Sequence, residues 1–385
     1  MKVLVLATKY FGVGGAEALT RAYADALGAD GVAVEVLSFL DGELADRTSS
    51  ATYLGHSGAH SSPPTQARFV AAALRRGRAY DLVLCSHVSV SPVAHILHRL
   101  FRIPYVVLTH GIEVWGSLGA RRLAGLRQAA RVVSVSRFTA RRIIAAHGVA
   151  EDRVRVIYPA VDPALLRQVP DQDVRRGAGS PVRLLTVARL SAQERYKGCD
   201  AVIAVLADVA AALGAVRYAI VGDGDDRARL EALARDRGVS AIVEFTGRVS
   251  PDGLAPQYLA CDVFAMPSTA VLRPDEPKGE GFGIVYLEAA AFRRPVIAGA
   301  GGGAPEAVED GVTGIVVDGN DRRALAAALT RLGADASLRT RMGAAGRAWV
   351  LDRFTFDRFR KDVAGLVRDL AGNHARDAAA GAGAP

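Results

Sequence analysis

The chain has 385 residues, which is long enough for two domains that each bury a core of their own. Half of the residues are hydrophobic, yet no apolar run approaches the roughly 20 residues needed to cross a bilayer, which excludes an integral membrane protein. The short apolar run at the N-terminus is typical of a buried first strand rather than a signal peptide, so we expect a cytoplasmic protein. Three widely separated cysteines argue against a disulfide framework or a zinc site.

The formal charge of +8 is concentrated in the first half of the chain. Residues 1–165 carry 19 Lys and Arg against 12 Asp and Glu, and the remainder carries 29 against 28. Arginines alternate with apolar residues at helical spacing, which indicates either solvated helix faces or a surface for an anionic membrane or lipid. Nucleic acid is not expected as a partner, because these stretches contain no recognised nucleic-acid-binding motif. The arginine-rich stretches are 74–78, 98–102, 120–131 and 137–142.

The predicted elements of the first half alternate short β-rich runs with longer helical patterns. Near-continuous Val, Leu and Ile strands separated by helices indicate a parallel sheet covered on both faces. A glycine loop and a helical pattern at 16–31 follow the first strand. The predicted strands are 2–7, 33–39, 81–86, 104–111, 131–136 and 153–159.

A polar segment with Gly and Pro, 169–181, predicts a linker, after which the alternation restarts. The predicted fold class is therefore α/β, with two doubly wound Rossmann-like domains facing a cleft, at 1–168 and 182–352. Ligands of such sheets bind at the carboxyl ends of the strands. The last segment, 371–385, has no periodicity and is expected to be disordered. The strands predicted for the second domain are 182–190, 216–225, 243–249, 262–268, 294–302 and 314–318.

Two features of the first domain are candidates for ligand binding. Gly12, Gly14 and Gly15 follow the first strand and Glu17 opens a helix, so backbone N–H groups can face an anion. The G-x-G-G spacing departs from the dinucleotide fingerprint, and a structural tight turn is the alternative. His110 ends a strand beside a glycine, which favours a position in the cleft, although a structural role stays open.

In the second domain, Arg189 lies at a strand end and Lys197 follows after a short loop. Two cations in this position can neutralise a diphosphate directly, and solvated surface cations are the alternative. Asp223 and Asp225 lie between a strand and a helix, where turn and N-cap chemistry accounts for them. We predict no metal site there.

The stretch KGEGFGIVYLEAAA places Glu280 in a glycine-broken loop and Glu288 in a helix. A retaining glycosidase needs its two carboxyl groups about 5 to 5.5 Å apart, which these positions need not satisfy. Separate roles suit them better: Glu280 can bind sugar hydroxyls, and Glu288 can accept from a ribose diol. Carboxylates that only stabilise the helix N-terminus are the alternative.

Five motifs occur in an order that resembles the family-4 retaining glycosyltransferases of the GT-B fold, over nearly the whole chain. They are GGAE near the N-terminus, THG at His110, the Arg189 and Lys197 pair, the spacing of Glu280 and Glu288, and GGAPEAVEDGVTG at 302–314. The stretch EGFGIVYLEA is similar to bacterial mannosyltransferases that act on phosphoinositides and lipid-linked glycans.

The resemblance implies that the second domain binds a nucleotide sugar and that no metal or other cofactor is needed. It implies catalytic roles for His110 and Glu280. The implied binding residues are Gly15, Arg189 and Lys197 for the diphosphate, Glu280, Phe282, Gly283 and Ile284 for the donor sugar, Glu288 for the ribose, and Val249 for the base.

The resemblance also implies transfer with retention, in which the acceptor hydroxyl attacks as the diphosphate leaves and the leaving phosphate takes the proton. Two departures from the family pattern occur. Three additional residues separate Arg189 from Lys197, and Ala188 replaces the usual glycine. The fold further implies that a last helix, 353–370, packs back on the first domain, with the aromatic residues of RFTFDRF as anchors.

The predicted function is transfer of a hexose from GDP-mannose or a UDP-hexose to a hydroxyl of a lipid-linked or polysaccharide-precursor acceptor. The first-domain arginines would contact that acceptor or the inner face of the membrane. A small soluble acceptor such as an aminocyclitol stays open. The alternatives from other classes are a nicotinamide-dependent oxidoreductase, suggested by the glycine loop and Asp41, and a non-catalytic sugar-binding protein.

Overall fold

The computed structural model describes residues 1–12, 14–41, 50–172 and 180–382, with side chains described as far as residue 370. The chain divides into two units. The first unit comprises Met1–Pro159 and the helix that begins at Phe356, and the second comprises Ala160–Thr355. Each unit is built on one parallel β-sheet, which confirms the prediction of two Rossmann-like domains.

The first unit has a seven-stranded sheet in the order β3-β2-β1-β4-β5-β6-β7. Its central strands are almost entirely buried, as expected for a parallel sheet covered by helices on both faces. The strands are β1 Lys2–Ala7, β2 Ala33–Leu40, β3 Thr52–Gly58, β4 Leu82–Cys85, β5 Tyr105–Thr109, β6 Arg131–Ser134 and β7 Val154–Val156. The helices between them are α1 Gly15–Ala29, α2 Pro63–Arg76, α3 Ser91–Phe101, α4 Ala120–Arg127 and α5 Arg137–His147.

The second unit has a six-stranded sheet in the order β10-β9-β8-β11-β12-β13. Its strands are β8 Val182–Val187, β9 Val216–Val221, β10 Val243–Gly247, β11 Val263–Met266, β12 Val296–Gly299 and β13 Gly314–Val317. Its helices are α6 Pro163–Leu166, α7 Cys199–Leu213, α8 Arg227–Asp236, α9 Pro251–Ala260, α10 Ile284–Ala291, α11 Arg322–Ala334 and α12 Ala336–Arg353. Short 3-10 helices occupy Gly77–Ala79, Val88–Val90, Ile112–Val114, Glu151–Arg153, Ala192–Lys197, Ser240–Ile242 and Ala304–Ala307.

The second unit begins at Ala160, earlier than the predicted linker, because the segment before that linker packs on this unit. The Val161 amide donates to the Phe354 carbonyl at 3.0 Å, and Arg293 donates to the Pro170 carbonyl at 2.9 Å. Val161 is fully buried. Of the predicted linker 169–181, residues 173–179 lie outside the described residues.

The last helix, α13 Phe356–Ala382, belongs to the first unit. Phe359 packs edge-on against Tyr23 of α1, with ring centroids 4.9 Å apart. Phe354, which we expected to anchor the same helix, instead packs against Phe282 within the second unit at 5.8 Å. The helix continues to Ala382, where the sequence predicts a disordered tail from residue 371. None of the helices in the described part of the chain is long and apolar enough to cross a membrane.

Parallel order brings the carboxyl ends of all strands in a unit to the same edge of its sheet. In the first unit the strand order reverses between β1 and β4, and in the second it reverses between β8 and β11. Ligands of doubly wound sheets bind at such switch points. The residues that follow these strands are therefore the candidates for ligand binding in each unit.

Candidate active site

The loop after β8 carries the two predicted diphosphate-binding cations, Arg189 and Lys197. A short 3-10 helix, Ala192–Lys197, connects them, and the Ser191 hydroxyl caps it by accepting from the Gln193 amide at 3.3 Å. Gly198 ends the helix at φ 79°, where a Cβ atom would lie 2.7 Å from the Pro267 carbonyl oxygen. Only glycine fits this turn, so the backbone at Gly198 fixes the position of the neighbouring residue, Lys197.

A single carboxylate, Glu194, lies between these two cations. It forms an ion pair with the Arg189 guanidinium, and its Oε2 atom lies 2.9 Å from Lys197 Nζ. The Glu194 side chain is 11% exposed, whereas that of Arg189 is 66% exposed. Burial by itself would raise the pKa of Glu194, but Lys197 and Arg189 together hold it below its ordinary value. Glu194 is thus an ionised partner of both cations.

Glu280 is held in place by its backbone, since its carbonyl accepts from the Gly303 amide at 2.8 Å. Burial raises the pKa of the Glu280 carboxyl, Lys197 opposes that rise, and Glu194 adds to it. These three charged groups therefore interact at one end of the sheet. The structure brings the predicted sugar-binding carboxylate next to a predicted diphosphate-binding cation.

The residues between Glu280 and α10 form a tight turn. Gly283 has φ 89°, and a Cβ atom there would lie 2.3 Å from the Tyr286 ring, so glycine is required. Phe282 is buried, and Ile284 is the first residue of α10. Backbone N–H groups of 282–284 thus lie at the N-terminus of this helix, where an oxygen-rich ligand is favoured.

Glu288 lies one turn further along α10. Its Oε2 atom accepts from the Tyr258 hydroxyl at 2.7 Å, and Tyr258 is fully buried. Burial raises the pKa of Glu288, an effect that the hydrogen bond from Tyr258 opposes. Val249 follows β10 by two residues, at the same edge of the sheet. The predicted ribose and base residues are therefore in the same unit as the cations.

Asp223 and Asp225 are held in a turn, as predicted. The Asp225 carboxylate accepts from the Ala192 amide at 2.8 Å, and that of Asp223 accepts from the Gly224 amide at 2.9 Å. Among the described residues, no group of three or more His, Cys, Asp or Glu side chains is placed to hold a metal ion.

In the first unit, Gly15 is the first residue of α1, and a Cβ atom added there meets nothing within 4 Å. The loop before it is held by Asp41, whose carboxylate accepts from the amides of Tyr10 and Phe11 and from the Tyr53 hydroxyl at 2.9 to 3.2 Å. Asp41 is 4% exposed. This buried carboxylate supports the loop rather than facing a ribose, which counts against the oxidoreductase alternative.

His110 follows β5, as predicted, and its ring lies beside a second histidine. The Nε2 atom of His110 donates to the Ser86 carbonyl at 2.7 Å. The rings of His87 and His110 are nearly parallel, with centroids 6.2 Å apart. The Ser89 amide donates to His87 Nδ1 at 3.1 Å, so the proton of the neutral imidazole lies on Nε2.

The surroundings of His87 contain charges of both signs. Burial lowers the pKa of His87, as do His110 and Arg122, whereas Glu113 and Glu17 oppose this. Glu113 also accepts from the His110 amide at 2.5 Å. The first unit thus gathers two imidazoles, two carboxylates and a guanidinium near the ends of β4 and β5.

Sequence reasoning missed His87, Glu194 and Tyr258. The signal for His87 was present, because it follows β4 as His110 follows β5, and the same strand-end rule applies to both. Glu194 lies in the additional residues between Arg189 and Lys197, where only the folded loop shows its direction. Tyr258 comes from the separate helix α9, and its pairing with Glu288 depends on tertiary packing.

Residues 13–165 match the family model described as Glycosyltransferase Family 4, and residues 172–349 match the model described as Glycosyl transferases group 1. The chain is 38% identical over 267 residues to the GDP-mannose-dependent alpha-(1-6)-phosphatidylinositol monomannoside mannosyltransferase of Mycobacterium tuberculosis, covering 68% of each chain. This chain belongs to glycosyltransferase family 4.

Other relatives of this family-4 glycosyltransferase act, by their names, on similar acceptors. The mannosyltransferase of the same name from Mycolicibacterium smegmatis is 39% identical over 65% of this chain and 66% of its own length. The D-inositol 3-phosphate glycosyltransferase of Acidothermus cellulolyticus is 31% identical over 72% of this chain and 62% of its own length. The chain thus spans about two thirds of the length of these relatives.

Solved structures confirm the predicted GT-B fold class. Anabaena Alr3699/HepE in complex with UDP superposes with a TM-score of 0.80 at 23% identity, over 96% of this family-4 chain and 100% of that one. Sucrose-phosphate synthase from Thermosynechococcus elongatus has the same TM-score and identity, over 97% and 99% of the two chains. At this identity the likeness concerns the fold.

Proposed function

We propose that this family-4 glycosyltransferase transfers a hexose from a nucleotide diphosphate sugar to a hydroxyl of a lipid-linked acceptor, with GDP-mannose as donor. The observation that carries the proposal is the pair of cations, Arg189 and Lys197, that one loop holds at the sheet edge where the N-terminus of α10 also lies. A cation pair suits a diphosphate, and a carboxylate beside it suits sugar hydroxyls. The names of the GDP-mannose-dependent relatives support the choice of donor.

The donor is divided among the residues of the second unit. Arg189 and Lys197 neutralise the diphosphate, and the backbone N–H groups at the start of α10 help Glu280 to orient the sugar. Glu288, fixed by Tyr258, accepts from the ribose hydroxyls. Val249 contacts the base through its backbone.

We further propose that the anomeric configuration is retained and that the reaction needs no metal. The two cations take the part that a divalent ion plays elsewhere, because they offset the charge that develops on the leaving diphosphate. The acceptor hydroxyl attacks from the face that the diphosphate leaves, and the leaving phosphate oxygen takes the proton. NMR of the product anomer tests retention.

For the acceptor, the names of two groups of relatives share an inositol that bears a phosphate. The edge of the first unit offers groups suited to such a molecule, since Arg122 lies close enough to lower the pKa of His87. A guanidinium binds phosphate well, and imidazoles bind hydroxyls. We therefore propose a phosphoinositide acceptor, with soluble inositol phosphate as the second candidate.

A lipid acceptor requires contact with a membrane, and α3 offers a surface for it. Ile96 and Leu100 lie one turn apart and are 38% and 60% exposed. Arg99 and Arg102 line an adjacent groove of about 780 Å³ between α3 and α4. Exposed apolar side chains beside arginines are the pattern of a surface that binds anionic lipid, here at the cytoplasmic face of the membrane.

Vesicle flotation tests this surface. Wild-type protein should float with vesicles containing 30% phosphatidylglycerol and stay in solution with pure phosphatidylcholine, and the variant Leu100→Glu should lose binding. Leu351→Glu is the matched control, because Leu351 of α12 is 48% exposed on the other unit. Equal flotation of the two variants would show that α3 does not contact the membrane.

Donor binding is tested first by thermal unfolding with GDP, UDP, ADP and NAD, each with and without EDTA, since a ligand of the folded state raises its stability. We expect a shift with GDP that persists in EDTA. Radiolabelled GDP-mannose and phosphatidylinositol mannoside or inositol 3-phosphate then identify the acceptor. A shift with NAD alone would contradict the proposed function.

A further inference from the structure

The charge balance of the loop after β8 has a feature that the proposed donor site does not require. Glu194 pairs with Arg189 and with Lys197, the two cations proposed to bind the diphosphate. A diphosphate needs both cations, whereas in this structure one carboxylate neutralises part of their charge. The proposed diphosphate site therefore contains an anionic side chain, Glu194, that occupies the same two cations as the diphosphate would.

The loop is built to keep Glu194 there. The Glu194 amide donates to the Ser191 carbonyl at 2.8 Å, and the 3-10 helix is interrupted at Glu194, where φ is −115° and ψ is 23°. The Ala192 amide is fixed separately by Asp225 at 2.8 Å. With the backbone held on both sides and only 11% of the side chain exposed, the carboxylate remains directed at the cations.

A second ion network fixes the rest of this loop without using Glu194. Asp226, which is 4% exposed, accepts from Arg195 at 2.8 Å and from Arg229 at 2.6 Å. Arg195 thus ties the loop to a buried carboxylate at the start of α8, and Glu194 is not needed for that anchorage. The pairing of Glu194 with Arg189 and Lys197 therefore positions these two cations and offsets part of their charge.

We propose that Glu194 is the resident counter-ion of the diphosphate site, which holds Arg189 and Lys197 while the site is empty and yields them to the incoming diphosphate. The inference rests on the proposed function. Arg189, Lys197 and Glu194 together carry a charge of +1, and the set without the carboxylate carries +2. A nucleoside diphosphate bears more negative charge than its sugar ester. Glu194 therefore weakens the binding of the product more than the binding of the donor, which favours product release.

The test compares Glu194→Gln with wild type by calorimetric titration with GDP and UDP and by product inhibition of transfer. The amide keeps the size of the side chain and removes its charge. We expect GDP to bind about five- to tenfold tighter to the variant. The KM for the donor should fall less than the inhibition constant of the product, and kcat should fall when product release limits turnover.

Glu244→Gln is the matched control. Glu244 pairs with Arg183 at 3.2 Å near the starts of β10 and β8, at the opposite edge of the same sheet. The substitution Glu244→Gln removes the same charge from an ion pair far from the loop, so GDP affinity should stay within twofold of wild type. An equal gain in both variants would overturn the inference, because it would reflect net charge alone.

Weaker GDP binding by Glu194→Gln would also overturn the inference, since it would make Glu194 only a tether that positions the cations. If the Gln variant does not fold, Glu194→Asp, which keeps the charge, tests the counter-ion role through its affinity for GDP. Affinity within twofold of wild type supports the counter-ion, and a loss of more than fivefold contradicts it. If wild-type protein binds neither GDP nor UDP, the proposed function itself fails.

Discussion

The two units share a topology but differ in the chemistry at the carboxyl edge of their sheets. The second unit places a set of paired ionic groups there, since Glu194 pairs with both Arg189 and Lys197. The first unit places the imidazoles of His87 and His110 there, and burial lowers the pKa of His87. The same fold thus supports a permanently charged site in one unit and a titratable one in the other.

The fixed charges of the second unit suit a ligand that is always anionic, such as the diphosphate of a donor. The imidazoles of the first unit suit a neutral hydroxyl that must be oriented. If this division is right, changes in the second unit should alter the binding and reaction of nucleotide sugars. Changes in the first unit should affect only the use of acceptor.

The largest effect is expected for Glu280→Gln. Loss of the carboxylate beside the sugar should lower kcat about 100-fold or more, while GDP affinity stays near wild type. Steady-state kinetics and calorimetry separate the two quantities. A comparable loss of GDP binding would place Glu280 on the nucleotide and break the proposed division of the donor site.

The same variant should be more stable than wild type at neutral pH. Burial raises the pKa of Glu280, so the folded state disfavours the ionised carboxylate above the ordinary pKa of a carboxyl group. Removing the charge removes that cost, and the gain should vanish below about pH 4, where both states bind the proton. Thermal unfolding between pH 4 and pH 8 measures this.

The next largest effect is expected for the cations. Arg189→Ala and Lys197→Ala should each weaken GDP binding about 10- to 100-fold, because each removes a charge-assisted bond to phosphate. Lys197→Ala should also lower the rate, since this lysine interacts with Glu280. Arg183→Ala, at the opposite sheet edge, serves as the control. Unchanged GDP affinity in both site variants would show that Arg189 and Lys197 do not bind the diphosphate.

These positions show what a sequence can predict about such a site. The strands follow from their apolar runs, and a parallel sheet collects its strand ends at one edge, so the neighbourhoods of Arg189 and His110 were predictable. The direction of Glu194 was not, because it depends on a kink inside a six-residue turn. The support that Asp41 gives to the Tyr10 loop was not predictable either, since it is a contact between residues distant in the sequence.

The same limit applies to the unit boundaries. Composition predicts a linker where residues are polar, but 160–172 pack on the second unit through buried side chains such as Val161. Disorder was predicted for the tail because its alanine-rich sequence carries no periodic pattern. Alanine nevertheless has the highest helix propensity, and α13 extends through it.

A moderate effect is expected in the first unit. His87→Gln and His110→Gln should each lower kcat/KM for the acceptor about tenfold and leave GDP affinity unchanged. The glutamine at 87 can still accept from the Ser89 amide, so the loop keeps its support. His56→Gln, on β3, is the control. Weaker GDP binding in the His87 variant would show that the two sheet edges do not divide donor from acceptor.

The smallest effect concerns the stability of the first unit as pH changes. Burial lowers the pKa of His87 below its ordinary value of about 6.5, and nearby His110 and Arg122 add to this, whereas Glu113 and Glu17 oppose it. The unfolded chain therefore binds a proton at a pH where the folded chain does not. Stability should fall as pH drops below about 6.5, and it should level off below the folded pKa.

His87→Gln should flatten this fall between pH 6.5 and pH 5, measured by urea unfolding at a series of pH values. Arg195→Gln, in the ion network of the second unit, should leave the slope unchanged because it alters no imidazole of the first unit. An unaltered slope in the His87 variant would assign the pH dependence to other groups. The contrast between a titratable edge and a permanently charged edge would then rest on the activity measurements alone.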